Sequence, residues 1–184
     1  MSQRAFIGIG TNLGDRVTNY REAIRRIGEL PITRVIRQSS IYETEPVGDI
    51  QGFFLNGVVE ADTGLLAVDL MRRLLGIERA MGRKRAPAGK GTRSGAQSRI
   101  IDLDLLFFAN QIADTSALQL PHPRLHERRF VLAPMAELAP TLIHPILQKS
   151  ISELLASLKS PHRVALARAD RLRPSPGRSE VLSR

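Results

Sequence analysis

The stretch that decides the fold is SRIIDLDLLFF, residues 98–108. Its run of Ile, Leu and Phe reads as a β-strand bound for the core, yet it carries Asp102 and Asp104. Side chains alternate along a strand, so these two carboxylates share one face, with Cβ atoms roughly 6–7 Å apart. Ile101, Leu103 and Leu105 take the other face. Two like charges that close repel, and each loses hydration when covered. Two explanations stand at this point. A divalent cation bridges the pair, as Mg²⁺ does when held by one or two carboxylates with phosphates and water. Alternatively, the strand is amphipathic and both carboxylates face solvent.

Working outward, AFIGIGTN (5–12) reads as a first strand and a turn. In 13–30, Val17, Tyr20, Ala23, Ile24, Ile27 and Leu30 recur at spacings of three and four, one face of a helix opened by Asp15. One strand is expected over 33–44 and another over 52–63, joined by EPVGDIQ. Thr63 is expected to cap a helix over 64–82. The aperiodic segment 83–99 holds three Gly, one Pro and six basic residues, and reads as a long charged loop of the kind that serves as a lid. The Asp-bearing strand follows. The order β-α-β-β-α-β predicts an α+β, ferredoxin-like core: an antiparallel sheet with helices on one face. A short helix within 121–140 and another over 150–158, opened by Ser150 or Ser152, form a C-terminal helical extension.

The 184 residues suit one domain, here 1–160, with 42% hydrophobic and 24% charged residues as in a soluble globule. The formal charge of +9 favours an anionic partner. Part of it sits after residue 162, where six arginines face two acids. Residues 161–184 are therefore expected to be a basic, largely disordered tail. No apolar run spans a membrane and no cysteine offers a disulfide or thiolate ligand. The expectation is a cytoplasmic protein. GIGTNLGDR (8–16) lacks the G-x-x-x-x-G-K-[ST] pattern of a phosphate loop, so Gly8, Gly10 and Gly14 are read as serving tight turns or close packing.

Several motifs coincide in order: GIGTNLGDR, SSIYETEPVG (39–48), FFLNGVVEADT (53–63), IERAMGR (77–83), RIIDLDLLFF (99–108) and LPHPRLHERRFVLAPMAELAP (120–140). Together they resemble 6-hydroxymethyl-7,8-dihydropterin pyrophosphokinase of folate synthesis, over roughly residues 4 to 158. The resemblance implies transfer of pyrophosphate from ATP to the hydroxymethyl group of a reduced pterin, with AMP released. It implies two Mg²⁺ ions held by Asp102 and Asp104, which answers the opening puzzle by analogy.

The same resemblance assigns further residues. Arg83 and Arg99, bracketing the charged loop, would act on phosphate together with the aspartates; a guanidinium stays charged and grips phosphate oxygens in pairs. Glu78, Leu105, His122 and Arg128 would bind ATP, Leu105 through its backbone. Thr44, Val47, Phe54, Asn56 and Phe130 would line the pterin pocket: the two Phe as aromatic walls, Asn56 as the polar edge, Thr44 and Val47 mainly through backbone. Phe53 and Phe54 should face opposite ways, one to core and one to the pocket. His126 and His144 match no functional position and read as surface.

The sequence departs from the family pattern at Ala96-Gln97-Ser98, where an aromatic followed by G-P-R or G-x-R is common, in the length of the loop, and at Pro123, where some members carry Tyr. Two rivals are set against the resemblance. One is a ferredoxin-like nucleic-acid-binding domain, but no K/R-G-F-x-F-x-F/Y pattern occurs and two sheet carboxylates repel phosphate without metal. The other is a different D-x-D metal-dependent nucleotidyl or phosphoryl transferase. The favoured expectation is a monomeric enzyme acting on ATP and 6-hydroxymethyl-7,8-dihydropterin, with no nucleic-acid or membrane partner.

Overall fold

The computed structural model describes residues 1–45, 52–82, 100–159 and 163–168. Strand β1 (Gln3–Thr11) sends Ala5, Ile7 and Ile9 to one face and Phe6, Gly8 and Gly10 to the other. Helix α1 (Arg16–Gly28) starts where expected, with the Asp15 carboxylate accepting from the Thr18 N–H at 3.1 Å. It buries Val17, Tyr20, Ala23 and Ile27, the last three in the apolar cluster on the first face.

The strand expected over 33–44 is broken in two, β2 (Thr33–Gln38) and β3 (Tyr42–Thr44). Ser39 explains the break. Its N–H donates to the Val58 carbonyl and its Oγ accepts from the Val58 N–H at 2.9 Å, so a side chain takes over one rung of the ladder. Both segments pair antiparallel with β4 (Phe54–Thr63). Helix α2 (Ala67–Ala80) begins after Leu66 rather than at Thr63, whose Oγ1 instead accepts from the Leu65 N–H at 3.2 Å. Strand β5 (Asp102–Phe108) closes the core order.

A small hairpin, β6 (Ala113–Asp114) and β7 (Gln119–Leu120), leads to helix α3 (Arg129–Leu138). Helix α4 (Ile151–Ser157) opens on Ser150 with a full capping box to Glu153. Strand β8 (Val164–Leu166) then pairs with β3.

The main sheet runs β5-β1-β4-β3-β8, with β2 also on β4 and every pairing antiparallel. This is the ferredoxin-like α+β arrangement, with three corrections. Helices cover both faces: α1 and α2 bury one apolar cluster, while α3 and α4 bury a second around Phe6, Val58, Leu106 and Phe107. Part of the segment read as tail is an edge strand, because Val164–Leu166 finds the unpaired side of β3. His144, read as surface, is 4% exposed and lies edge-on to Phe107, ring centroids 5.7 Å apart. Among the described residues no helix is long and apolar enough to cross a membrane.

Candidate active site

The face under α3 is where the polar residues gather. β1 and β5 pair with Gly8 opposite Asp104 and Gly10 opposite Asp102, and a bulge follows between Leu105 and Phe107. Asp102 and Asp104 are half-buried on the α3 face, while Leu103 and Leu105 are 1% and 3% exposed in the α1/α2 core. The alternation read from the sequence therefore holds. The bulge places Leu106 and Phe107 both in the second cluster.

That bulge also seats the next element. The Leu106 carbonyl accepts from the His122 N–H at 2.9 Å, drawing the Pro121–Pro123 segment against β5. The His122 Nε2 then stands 3.9 Å from the Asp104 Oδ2. Burial holds the His122 pKa below its ordinary value, partly offset by Asp104 and reinforced by Arg128. Its Nδ1 accepts from the Arg124 N–H at 3.2 Å, so the neutral ring carries its proton on Nε2, toward the carboxylate.

Arg128 precedes α3 and donates from Nη1 to Asp104 Oδ2 at 3.3 Å. Its guanidinium also lies 5.8 Å from the Phe130 ring centroid, a cation–π distance. Asp104, His122, Arg128 and Phe130 thus form one continuous group.

Across the sheet, Asn56 and Thr44 are 7% and 3% exposed. The Asn56 Nδ2 donates to Thr44 Oγ1 at 2.7 Å, so the Thr44 side chain holds the Asn56 amide. Phe54 and Asn56 share a face by alternation. Phe53 does not enter the core; it is 44% exposed. Its carbonyl accepts from Arg16 Nη1 at 2.7 Å, anchoring the chain just before Phe54. The sequence had shown Arg16 only as the end of a glycine-rich motif. Glu137 was also missed: from α3 it accepts from the Ser40 N–H at 2.7 Å and from the Tyr42 hydroxyl, joining α3 to β3. A contact across 95 residues leaves no local signal.

Glu78 is 1% exposed on α2, and its Oε1 accepts from the Leu103 N–H at 2.9 Å, between the two aspartates. Leu103 N–H therefore points away from β1. Two residues on, the Leu105 N–H points the same way, toward the open edge of the sheet. Val47, Arg83 and Arg99 lie outside the described residues.

The two aspartates fit Mg²⁺. They project together and half-exposed, beside groups suited to phosphate. Among the described residues no three His, Cys, Asp or Glu side chains gather into a protein-only cage. Remaining coordination positions would fall to phosphate oxygens and water, the usual habit of Mg²⁺.

An acidic pair, a neighbouring Arg and His, and a buried amide on one face of an α+β sheet define a candidate site for metal-assisted phosphoryl transfer. The comparisons give the family. The sequence model for 7,8-dihydro-6-hydroxymethylpterin-pyrophosphokinase matches residues 6–140. The 2-amino-4-hydroxy-6-hydroxymethyldihydropteridine pyrophosphokinase of Bacillus subtilis is 42% identical over 139 residues, covering 75% of this chain and 79% of that protein. The protein of that name from Methylorubrum extorquens is 38% identical over 156 residues, covering 84% and 93%. The chain belongs to the 7,8-dihydro-6-hydroxymethylpterin-pyrophosphokinase family. Among solved structures, wild-type Plasmodium falciparum HPPK-DHPS superposes with a TM-score of 0.63 at 15% identity, covering 85% of this chain but 44% of that one. At that identity the likeness speaks to the fold alone.

Proposed function

We propose that this chain transfers pyrophosphate from ATP to 6-hydroxymethyl-7,8-dihydropterin in folate biosynthesis. The pterin hydroxyl oxygen bonds to the β-phosphorus, the bond from that phosphorus to the α–β bridging oxygen breaks, AMP leaves with that oxygen, and the hydroxyl proton passes to solvent. The observation that carries the reading is the shared face: Asp102 and Asp104 on β5, and Asn56 two strands away on β4. Family membership supplies the substrates.

Two Mg²⁺ ions held by Asp102 and Asp104 would neutralise phosphate oxygens and bring the reacting groups into line. Arg128 supplies a fixed positive charge to the phosphate chain, and neutral His122 donates from Nε2. Arg83 and Arg99 would close on the phosphates, an assignment resting on the family resemblance. Val47 and Leu105 would contribute backbone groups, to pterin and adenine respectively, with Glu78 near the nucleotide. Phe54 and Phe130 would stack on the pterin, with Asn56 and Thr44 reading its edge. No covalent enzyme intermediate is required, so catalysis is positioning and electrostatics. As part of the same proposal, the enzyme acts as a cytoplasmic monomer on small molecules, without a nucleic-acid partner.

The test is AMP release from MgATP by the purified chain, with and without the pterin. The reading requires AMP only when pterin is present. Pterin-independent ATP consumption, or no AMP in either case, overturns it.

A further inference from the structure

The Gly8-Ile9-Gly10 stretch has no place in the proposed chemistry so far. Backbone freedom does not explain it: among the described residues the glycines with positive φ are Gly14, Gly52 and Gly82. Space does. Gly10 pairs through its Cα with Asn56 on one side and Asp102 on the other. The row Asn56–Gly10–Asp102 crosses three strands on the α3 face, about 10 Å from end to end at the ordinary strand spacing. A Cβ at Gly10 would stand 3.1 Å from Asn56 Oδ1 and 3.8 Å from Asp102 Cβ. The first distance is tighter than an ordinary contact, and Asn56 has little room to yield. It is 7% exposed and its Nδ2 is committed to Thr44 at 2.7 Å. Two residues along the strand, the atoms nearest a Cβ at Gly8 would be Leu106 side-chain carbons, at 3.5 Å or more, which is ordinary contact.

We infer that Gly10 is a positioning residue: its bare Cα is the floor between Asn56 and Asp102, across which the hydroxymethyl arm of a flat, amide-edged heterocycle reaches toward the phosphate chain. The inference rests on the proposed function and adds a residue to it. A methyl group at position 10 raises the floor and displaces the Asn56 carbonyl, at the end where the ring binds. It leaves Arg128, His122 and Asp104 untouched. Gly10 therefore governs the heterocycle and not the nucleotide.

The test uses the full chain, with oxidised 6-hydroxymethylpterin and a non-hydrolysable MgATP analogue as probes. Gly10→Ala should weaken pterin binding roughly tenfold, the worth of one well-made polar contact, with the nucleotide analogue bound as in wild type. Gly8→Ala should leave both affinities at the wild-type value. Equal pterin affinity in wild type and Gly10→Ala, or an equal loss for both ligands, overturns the inference. Should Gly10→Ala not fold, the wild-type protein still decides: a nuclear Overhauser contact between a Gly10 Hα and the ligand's 6-methylene protons is expected, and its absence from the saturated complex refutes the floor. A wild type that releases pterin-dependent AMP yet fails these tests sinks only the role of Gly10. A wild type that releases none sinks the functional reading itself.

Discussion

Asp104→Asn separates chemistry from stability more cleanly than any other substitution at this site. It keeps the volume and a hydrogen-bond acceptor for Arg128 while removing one charge. The ion pair it weakens spans 3.3 Å between side chains that are 32% and 22% exposed, and a pair that wet contributes at most about 1 kcal/mol. Against this, two carboxylates about 6.5 Å apart repel by about 0.6–2.6 kcal/mol for effective dielectric constants of about 80 to 20. The terms oppose, so stability should stay level or rise slightly. In a domain of this size that means a melting temperature within about 4 °C of wild type. Activity should behave otherwise. In the proposed role of Asp104 as a metal anchor, loss of its carboxylate should remove several kcal/mol of transition-state stabilisation; about 4 kcal/mol is roughly a thousandfold in kcat. Pterin-dependent AMP release and thermal unfolding, measured on the same preparation, test both halves. A melting temperature lowered by more than about 8 °C would make the carboxylates structural, and a rate within about tenfold of wild type would remove Asp104 from the chemistry.

Glu78→Ala strands the Leu103 N–H between the aspartates, a buried donor worth about 1–3 kcal/mol when left unmade; Glu78→Gln keeps an acceptor there. The Ala variant should unfold earlier and need more Mg²⁺ for half-maximal rate, while the Gln variant recovers stability; equal melting curves for the two would discount the Leu103 bond. His144 accepts from the Ile146 and Leu147 N–H groups through Nδ1, and burial holds its pKa below the ordinary 6.5. With the folded pKa below the unfolded one, its contribution is complete above about pH 6.5 and is lost as pH falls through the folded value. Melting temperature should therefore decline less between pH 7 and pH 5 in His144→Asn than in wild type; parallel profiles would refute this. Deleting residues 163–184 strips β8 from β3, whose Thr44 pairs with Val164. That should lower the melting temperature and raise the pterin KM more than the ATP KM, whereas deletion from 169 onward should change neither; indistinguishable truncations would mean β8 contributes nothing.

The core was legible because it obeys two short periods. Strand alternation placed Asp102 and Asp104 together, and helical spacing found the buried faces of α1 and α2. What escaped depends on distant partners. Ser39 breaks a strand by reaching Val58 on β4, and nothing in SSIYET announces it. His144 looks like any surface histidine until Phe107 covers it. Val164–Leu166 sits in an arginine-rich stretch and becomes a strand only because β3 offers an unpaired edge. The hydrogen bond between Thr44 and Asn56 arises only when β3 and β4 are in register. The site residues were named by motif; the fold shows which of them touch. Asp104, His122, Arg128 and Phe130 form one group, Thr44 and Asn56 another.

The outer edge of β5 has a consequence for solubility. An open sheet margin is also a template on which a second copy of the chain could add a strand. Here the margin is interrupted at short intervals. Glu78 occupies the Leu103 N–H, the bulge at Leu106 breaks the repeat, and the Leu106 carbonyl is taken by His122. The stretch left over is too short for an invading strand. Those contacts break up the edge that a second copy of the chain would need for strand addition.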